Sequence, residues 1–162
     1  MPIEAFARQN CSIARTLAFL GERWTVLILR ELFVGRRRFD EIQRELGVAS
    51  NVLSERLSTL LDERIVERRR YSEHPERHEY RLTDKGRDLQ PVMLELMRWG
   101  ARHKAPPKGP MRVIVHTECG HEVEPVQTCS HCGGELDQHN VRVPLGPGAT
   151  RDQRRREVAA AG

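Results

Sequence analysis

Aromatic residues are scarce: Phe, Trp and Tyr make up 5% of the 162 residues. A core must therefore rest on Leu, Ile and Val, which suits small packed helices better than a broad sheet. Long hydrophobic runs are also missing. None approaches the ~20 apolar residues that a membrane-spanning helix needs, and no signal-peptide pattern opens the chain. The expectation is a cytoplasmic protein without a membrane partner. Cysteine numbers four, too few for a disulfide scaffold at this length. There is no glycine-rich phosphate loop and no Ser/His/Asp pattern, so an enzyme is not expected. What is plentiful is charge, at 31% of residues with a net +4. The arginines are clumped at Arg36–Arg38, Arg68–Arg70 and Arg154–Arg156. Phosphate contacts need such local positive potential, although the last run reads as a solvated face.

The chain is organised around Phe39 to Leu82. Phe39, Ile42 and Leu46 share one face of a short helix, with Asp40 as its cap and Gln43 closing a capping box. Gly47 stands where that helix stops and the backbone turns left-handed. Ser50 is the expected cap of a second helix, whose buried face is Leu53, Leu57, Leu60 and Leu61. Two short helices joined by a glycine-containing turn predict a helix-turn-helix. Ile65 to Tyr71, a turn with Pro75, and His78 to Leu82 then read as an arginine-rich β-hairpin. Together these predict a winged helix-turn-helix that binds DNA, mainly α with a small β-hairpin wing.

Residues 1–10 read as a loosely held arm. Asn10 is placed as cap of a helix with Ile13, Leu17 and Leu20 on its buried face, ending at Gly21. The next helix carries Trp24, Leu27, Ile28 and Leu32 and stops near Gly35. After the hairpin, Thr83 is expected to cap a long helix to about His103, kinked by Pro91. Its stripe of Leu89, Val92 or Met93, Leu96 and Trp99 or Gly100 exceeds what the winged domain can cover. A two-fold partner is the economical cover, giving a homodimer. A ligand pocket beside Met93 and Met97 is the weaker alternative.

Several segments resemble the bacterial HxlR-type regulators. They are Cys11–Leu17, Gly21–Thr25, Leu27–Leu32, Arg38-Phe39, Leu53–Leu57, Tyr80–Gly86 and Trp99-Gly100, in order and register over roughly residues 11 to 103. The resemblance implies a homodimeric winged-helix transcription factor distantly related to the MarR type. It also matches Cys11 to a cysteine with which some of these regulators sense oxidants or electrophiles. Cys11 lies at a helix N-terminus near Arg8 and Arg15, a setting that favours the reactive form. The competing reading is a buried structural thiol.

On the recognition helix, Ser50 and the positions opposite the leucine stripe (Asn51, Ser54, Glu55, Ser58 and Thr59) can meet base edges in the major groove, flanked by Arg56. In the wing, Arg68 and Arg70 share one face and Arg69 takes the other. The expected phosphate or minor-groove contacts are Arg77 with His74 or Arg70, with the arginines before Phe39 (Arg36, Arg37 and Arg38) as a second clamp.

Residues 104–110 read as a linker. Beyond a strand at Met111 to Val115 come two ligand-x-x-ligand-Gly turns, His116 to Gly120 and Cys129 to Gly133. Two such knuckles can supply four tetrahedral ligands to structural Zn2+, here His116, Cys119, Cys129 and Cys132, with His121 as rival to His116. Residues 111–144 thus resemble a zinc ribbon. The competing reading is free thiols or a stress disulfide. Residues 145–162 show no periodicity and read as a disordered tail.

The leading expectation is a sequence-specific regulator, a repressor that binds double-stranded operator DNA as a homodimer and responds to an oxidant or small molecule. The alternative is a zinc-ribbon adaptor contacting protein or RNA of the transcription machinery, with weak, sequence-indifferent DNA binding.

Overall fold

The computed structural model describes residues 6–160. The first part of the expected N-terminal arm, residues 1–5, lies outside them. The chain forms two compact units, Met1–Lys104 and Ala105–Gly162.

The first unit runs α1 (Ser12–Leu20), α2 (Arg23–Phe33), α3 (Phe39–Leu46), α4 (Ser50–Asp62), β1 (Val66–Glu73), β2 (Glu76–Leu82), α5 (Asp84–Arg87) and α6 (Gln90–Lys104). Its core is aliphatic. Ile28, Leu29, Ile42, Leu53, Leu57, Leu60 and Ile65 are all fully buried, each contributing about 1.5–3 kcal/mol of burial free energy. Trp24, Phe39, Leu61 and Tyr80 pack around this cluster, partly buried. The leucine spacing of α4 therefore does what it predicts.

The α1 expectation needs correction. Cys11, not Asn10, occupies the capping position in extended backbone. Ala14 and Leu20 turn inward, while Ile13 is 73% and Leu17 47% exposed. The apolar stripe is present but has no cover within the winged unit.

Glu31, on α2, is 1% exposed. Its carboxylate accepts from Arg30 Nε and from Arg36 Nη1, each at 2.6 Å. Arg36 also reaches Glu45 at 2.8 Å. These four residues fasten α2, the following loop and α3 together, so Arg36 serves the fold.

Caps differ from the sequence reading at both motif helices. Arg38, not Asp40, is the capping residue of α3, and the backbone N–H groups of Arg37 and Arg38 donate to Glu41 Oε2. Glu41 replaces Gln43 in the box because the helix begins two residues earlier than Asp40 as cap implies. Gly47 adopts the expected left-handed conformation, φ 62°. Ala49 is the capping residue of α4, and Ser50 is its first helical residue. Ser50 Oγ instead accepts from Gln43 Nε2 at 3.3 Å, pinning the two helices across the turn.

The hairpin is antiparallel and longer than predicted, with Val66 opposite Leu82, Arg69 opposite Glu79 and Arg70 opposite His78. A bulge at Tyr71 interrupts the alternation, and the His74–Pro75 peptide in the turn is cis. Tyr80 N donates to Arg37 O at 2.7 Å, tying β2 to the loop before α3.

Thr83 caps as expected, its Oγ1 accepting from Gly86 N. The helix it caps is one turn, however, and a separate helix begins at Gln90. Pro91 does not kink a long helix. It lies in the first turn of α6, where its missing N–H costs nothing. No residue of α6 is buried, and Val92, Leu96 and Trp99 are 47%, 52% and 56% exposed.

The second unit is extended and thinly packed. No side chain among its described residues is buried. In place of a strand at Met111 to Val115 there are two isolated antiparallel bridges, Val115 to Glu122 and Thr128 to Glu135. Residues expected to be a disordered tail contain α7 (Arg151–Ala160). Its start is a reciprocal cap: Gln153 N donates to Thr150 Oγ1 while Thr150 N donates to Gln153 Oε1. That capping box is legible in the sequence as Thr-x-x-Gln, but the helix lacks the apolar periodicity by which helices are usually found.

Candidate nucleic-acid interface

The leucine stripe of α4 buries one side of the helix and thereby fixes what the other presents. Ser50, Asn51, Ser54, Glu55 and Ser58 are all exposed, forming one polar face of small and amide side chains suited to base edges. Thr59 is half-buried, and its hydroxyl donates back to Glu55 O at 3.1 Å. Arg56 departs from expectation. Its side chain is only 14% exposed and lies against Glu55 and Glu22. Sequence spacing places it at the flank of the reading face; its hydrogen-bonded partner is the adjacent Glu55 at 2.5 Å, and Glu22, 34 residues earlier in the chain, adds a longer contact at 3.9 Å.

Charge pairing sorts the wing. On one face, Glu67 opposes Arg81 and Arg69 opposes Glu79, with Arg69 to Glu67 and Arg81 to Glu79 at 2.6 Å each. That four-residue set is electrically neutral. The opposite face holds Arg68 and Arg70, as the alternation predicts. Arg70 meets Glu73 at 3.2 Å, with both side chains more than half exposed, a pairing weak enough to exchange for phosphate. Arg68 and Arg77 have no carboxylate partner among the described residues. His74 and Arg77 stand exposed at the turn. His78 is turned toward Glu76 at 3.1 Å.

Arg38 adds a link that sequence reasoning missed. Its guanidinium lies over the Tyr71 ring, 4.7 Å from the centroid, a cation–π contact. The loop before α3 and the bulged part of the wing thus form one basic surface. Only the bulge brings Tyr71 to that side, and bulges carry no simple sequence signal.

Cys11 is exposed. Arg15, read as its neighbouring cation, donates Nε to Gln9 O at 3.0 Å.

In the second unit both predicted knuckles are formed. Gly120 N donates to His116 O and Gly133 N to Cys129 O, each at 2.8 Å. The glycines have φ 71° and 73°, left-handed values that admit glycine readily. His116 Nδ1 lies 3.3 Å from Cys119 Sγ, so this histidine shares the knuckle as the spacing suggests. Backbone hydrogen bonds from Cys132 and then His131 hold the Cys129 thiol below its ordinary pKa, the pattern of a sulfur prepared as thiolate. The donor chemistry, three thiols and one imidazole, fits zinc. The two pairs remain apart, however: among the described residues no three His, Cys, Asp or Glu side chains converge as a metal site. All four cysteines are free thiols.

Among the described residues no helix is long and apolar enough to cross a membrane. The family model for the HxlR-like helix-turn-helix matches residues 19–108. Rv3095, an HTH-type transcriptional regulator of Mycobacterium tuberculosis, is 46% identical over 137 residues, 85% of this chain and 87% of its own. A match of that length necessarily extends into the second unit. Among solved structures, PA1607, a candidate transcription factor, superposes with a TM-score of 0.78 at 32% identity, covering 88% of this chain and 99% of that one. The reduced form of YodB, a transcriptional regulator of Bacillus subtilis, has a TM-score of 0.51 at 34% identity and covers 63% of this chain and all of its own. HypR, a redox regulator, in its reduced form has a TM-score of 0.55 at 29% identity, over 58% of this chain and 94% of its own. The exposed polar face, the basic wing and these likenesses agree: the chain belongs to the HxlR-like helix-turn-helix family and is a transcriptional regulator.

Proposed function

We propose that this regulator binds a pseudo-palindromic operator as a homodimer and represses transcription by obstructing polymerase. The observation that carries the dimer is the uncovered apolar surface. Ile13 and Leu17 on α1 and Val92, Leu96 and Trp99 on α6 are each close to half exposed or more, and several large apolar side chains uncovered on one helix face suit an interface. Two-fold pairing would present two recognition helices to two half-sites.

In this reading Asn51, Ser54, Glu55 and Ser58 face the bases, with Ser50 at the helix start. Arg38, Arg70, His74 and Arg77, together with Arg68, hold the backbone. Arg56 supports the helix from behind. Fluorescence anisotropy with operator DNA across a salt series separates the two roles. Asn51→Ala should cost about 1–3 kcal/mol on the operator and little on unrelated DNA. Arg77→Ala should weaken both alike and reduce the salt slope by about one. Loss of operator preference in Arg77→Ala with none in Asn51→Ala would reverse the assignment. Weak, sequence-indifferent binding by the unaltered protein would favour the adaptor reading.

Cys11 is the candidate oxidant sensor. Its support is its exposure at the start of the same helix that bears Ile13 and Leu17, together with the likeness to HypR, described as a redox regulator. Repeating the titration after diamide treatment, with zinc content monitored, should show loss of operator binding that reductant restores and Cys11→Ser prevents.

For the second unit we propose a structural Zn2+ held by His116, Cys119, Cys129 and Cys132. The supports are the donor set, the two preformed knuckles and the absence of buried side chains among the described residues of this unit. An extended segment without a hydrophobic core needs another source of stability, and a metal can supply it. Purified protein should carry one zinc per chain by elemental analysis. Cys129→Ser should lose it, and residues 111–144 should then exchange amide hydrogen at unfolded rates while the winged unit keeps its protection. A zinc-free protein with a protected second unit would contradict the proposal.

A further inference from the structure

We propose that α7 is a second DNA contact, an arginine helix that holds backbone phosphates in addition to those held by the wing. The inference takes its partner from the operator reading above. It gives a task to the one arginine run that sequence alone leaves as a solvated face. Every side chain from Arg151 to Val158 is exposed. Charge in the second unit is segregated along the chain. The knuckle segment between Val113 and Val141 carries Glu118, Glu122, Glu124, Glu135 and Asp137 and no lysine or arginine. Carboxylates repel a phosphate backbone, so that segment is a poor nucleic-acid surface and leaves any duplex contact of this unit to α7.

Pairing distinguishes the four arginines of the helix. Arg156 meets Asp152 at 2.7 Å. Arg154 turns back on the preceding loop, its Nη2 donating to Gly146 O at 3.1 Å and to Pro147 O at 3.3 Å. Arg151 and Arg155 have no carboxylate partner among the described residues. Four residues apart, they share one face, and Glu157 lies on the far side of the helix. The Thr150–Gln153 cap and the Arg154 bonds fix the start of α7, so the two guanidiniums stand on an ordered frame. Arg151 lies in the first turn, where a cation opposes the helix dipole. Helix stability therefore does not account for it. A phosphate backbone does, since each unpaired guanidinium can make charge-assisted hydrogen bonds to it. A lipid surface fits less well. An interfacial helix needs an apolar face, and Val158 is the only large apolar residue between Arg151 and Ala160.

The test compares the full-length protein with its Arg151→Gln, Arg155→Gln double variant by fluorescence anisotropy across a salt series. The probes are DNA upstream of its own gene and an unrelated duplex of equal length. The double variant should bind both duplexes about tenfold more weakly at physiological salt, keep its preference between them, and show a salt slope shallower by roughly two per chain bound. Equal affinity and equal slope in the two proteins would overturn the contact. Weakening confined to the upstream duplex would also overturn it, because a phosphate clamp carries no sequence information. Arginine-dependent binding to phosphatidylserine vesicles with none to DNA would reassign α7 to a membrane surface. An unaltered protein without preference for the upstream duplex, beside a variant with the shallower slope, would sink the operator reading and leave the α7 contact standing. Both arginines are exposed and glutamine keeps a similar helix propensity, so the variant should fold; far-UV circular dichroism and its melting curve check this.

Discussion

Leu96→Glu should turn the protein into a monomer and lower its affinity for operator DNA at least about a hundredfold. Leu96 is 52% exposed in the single chain, between Val92 and Trp99 on one face of α6. A glutamate there costs the isolated fold little, since substitutions at exposed positions usually stay within about 0.5 kcal/mol. In a two-fold pair the same position recurs on both chains, so two carboxylates would enter an apolar interface. Burying an unpaired charge costs several kcal/mol, and repulsion between copies adds to it. Separating the subunits then removes the linkage between half-sites, which is worth roughly 10²–10⁴ in apparent affinity. Sedimentation equilibrium reads the mass and anisotropy reads the binding. A protein that stays dimeric with Leu96→Glu would move the interface elsewhere, α1 with Ile13 and Leu17 being the next face to probe.

Gly86→Ala should be the most damaging single methyl in the winged unit. A Cβ on Gly86 would lie 2.1 Å from Ile65 O and 3.1 Å from both Ile65 C and Leu82 Cδ2. The nearest of these is backbone and cannot step aside as a side chain would. Ile65 O is moreover held in place, accepting from Thr83 N at 3.1 Å. Overpacking of this kind costs about 1–3 kcal/mol, and the pinned carbonyl places this case at the upper end. For a unit of this size that is a fall in melting temperature of roughly 10–20 °C. Gly100→Ala is the control, because a Cβ there meets nothing within 4 Å. It removes a helix-interior glycine and should stabilise the isolated chain by about 0.5–1 kcal/mol. Thermal unfolding of the two variants should therefore move in opposite directions. A harmless Gly86→Ala would mean that the contact between α5 and the Ile65 backbone, just before β1, is looser than the structure has it.

The sequence carries the fold of the winged unit because its signals are local and periodic. Leu53, Leu57 and Leu60 recur at helical spacing and are buried. Gly47 marks a left-handed turn and adopts one. Thr83 caps. Where the reading goes astray, the deciding interaction is tertiary or competes locally. Asp40 and Ser50 are good caps by type, yet Glu41 closes the box on Arg37 and Arg38 two residues earlier, and Ser50, already inside its helix, accepts from Gln43. Ile13 and Leu17 have the spacing of a buried face, and spacing cannot say that the cover comes from outside the unit.

The DNA interface shows the same division. Which positions of α4 point away from the leucines follows from 3.6 residues per turn. That Arg56 also lies 3.9 Å from Glu22, and that Arg69 sits opposite Glu79 while Arg68 sits opposite Tyr80, depends on residues brought close by folding. The stacking of Arg38 on Tyr71 depends on a bulge. In the second unit the knuckles are legible down to their glycines, because a ligand-x-x-ligand-Gly turn is a local object. Whether the two close on one ion is a question of tertiary arrangement.

Reading of operator DNA through α4 and the wing is tested by the affinity of reduced, zinc-replete protein for DNA upstream of its own gene, measured against excess unrelated competitor. Retained binding in the nanomolar range, lost to Asn51→Ala, is the predicted result. Binding that the competitor abolishes, with Asn51→Ala indistinguishable from the unaltered protein, would contradict it.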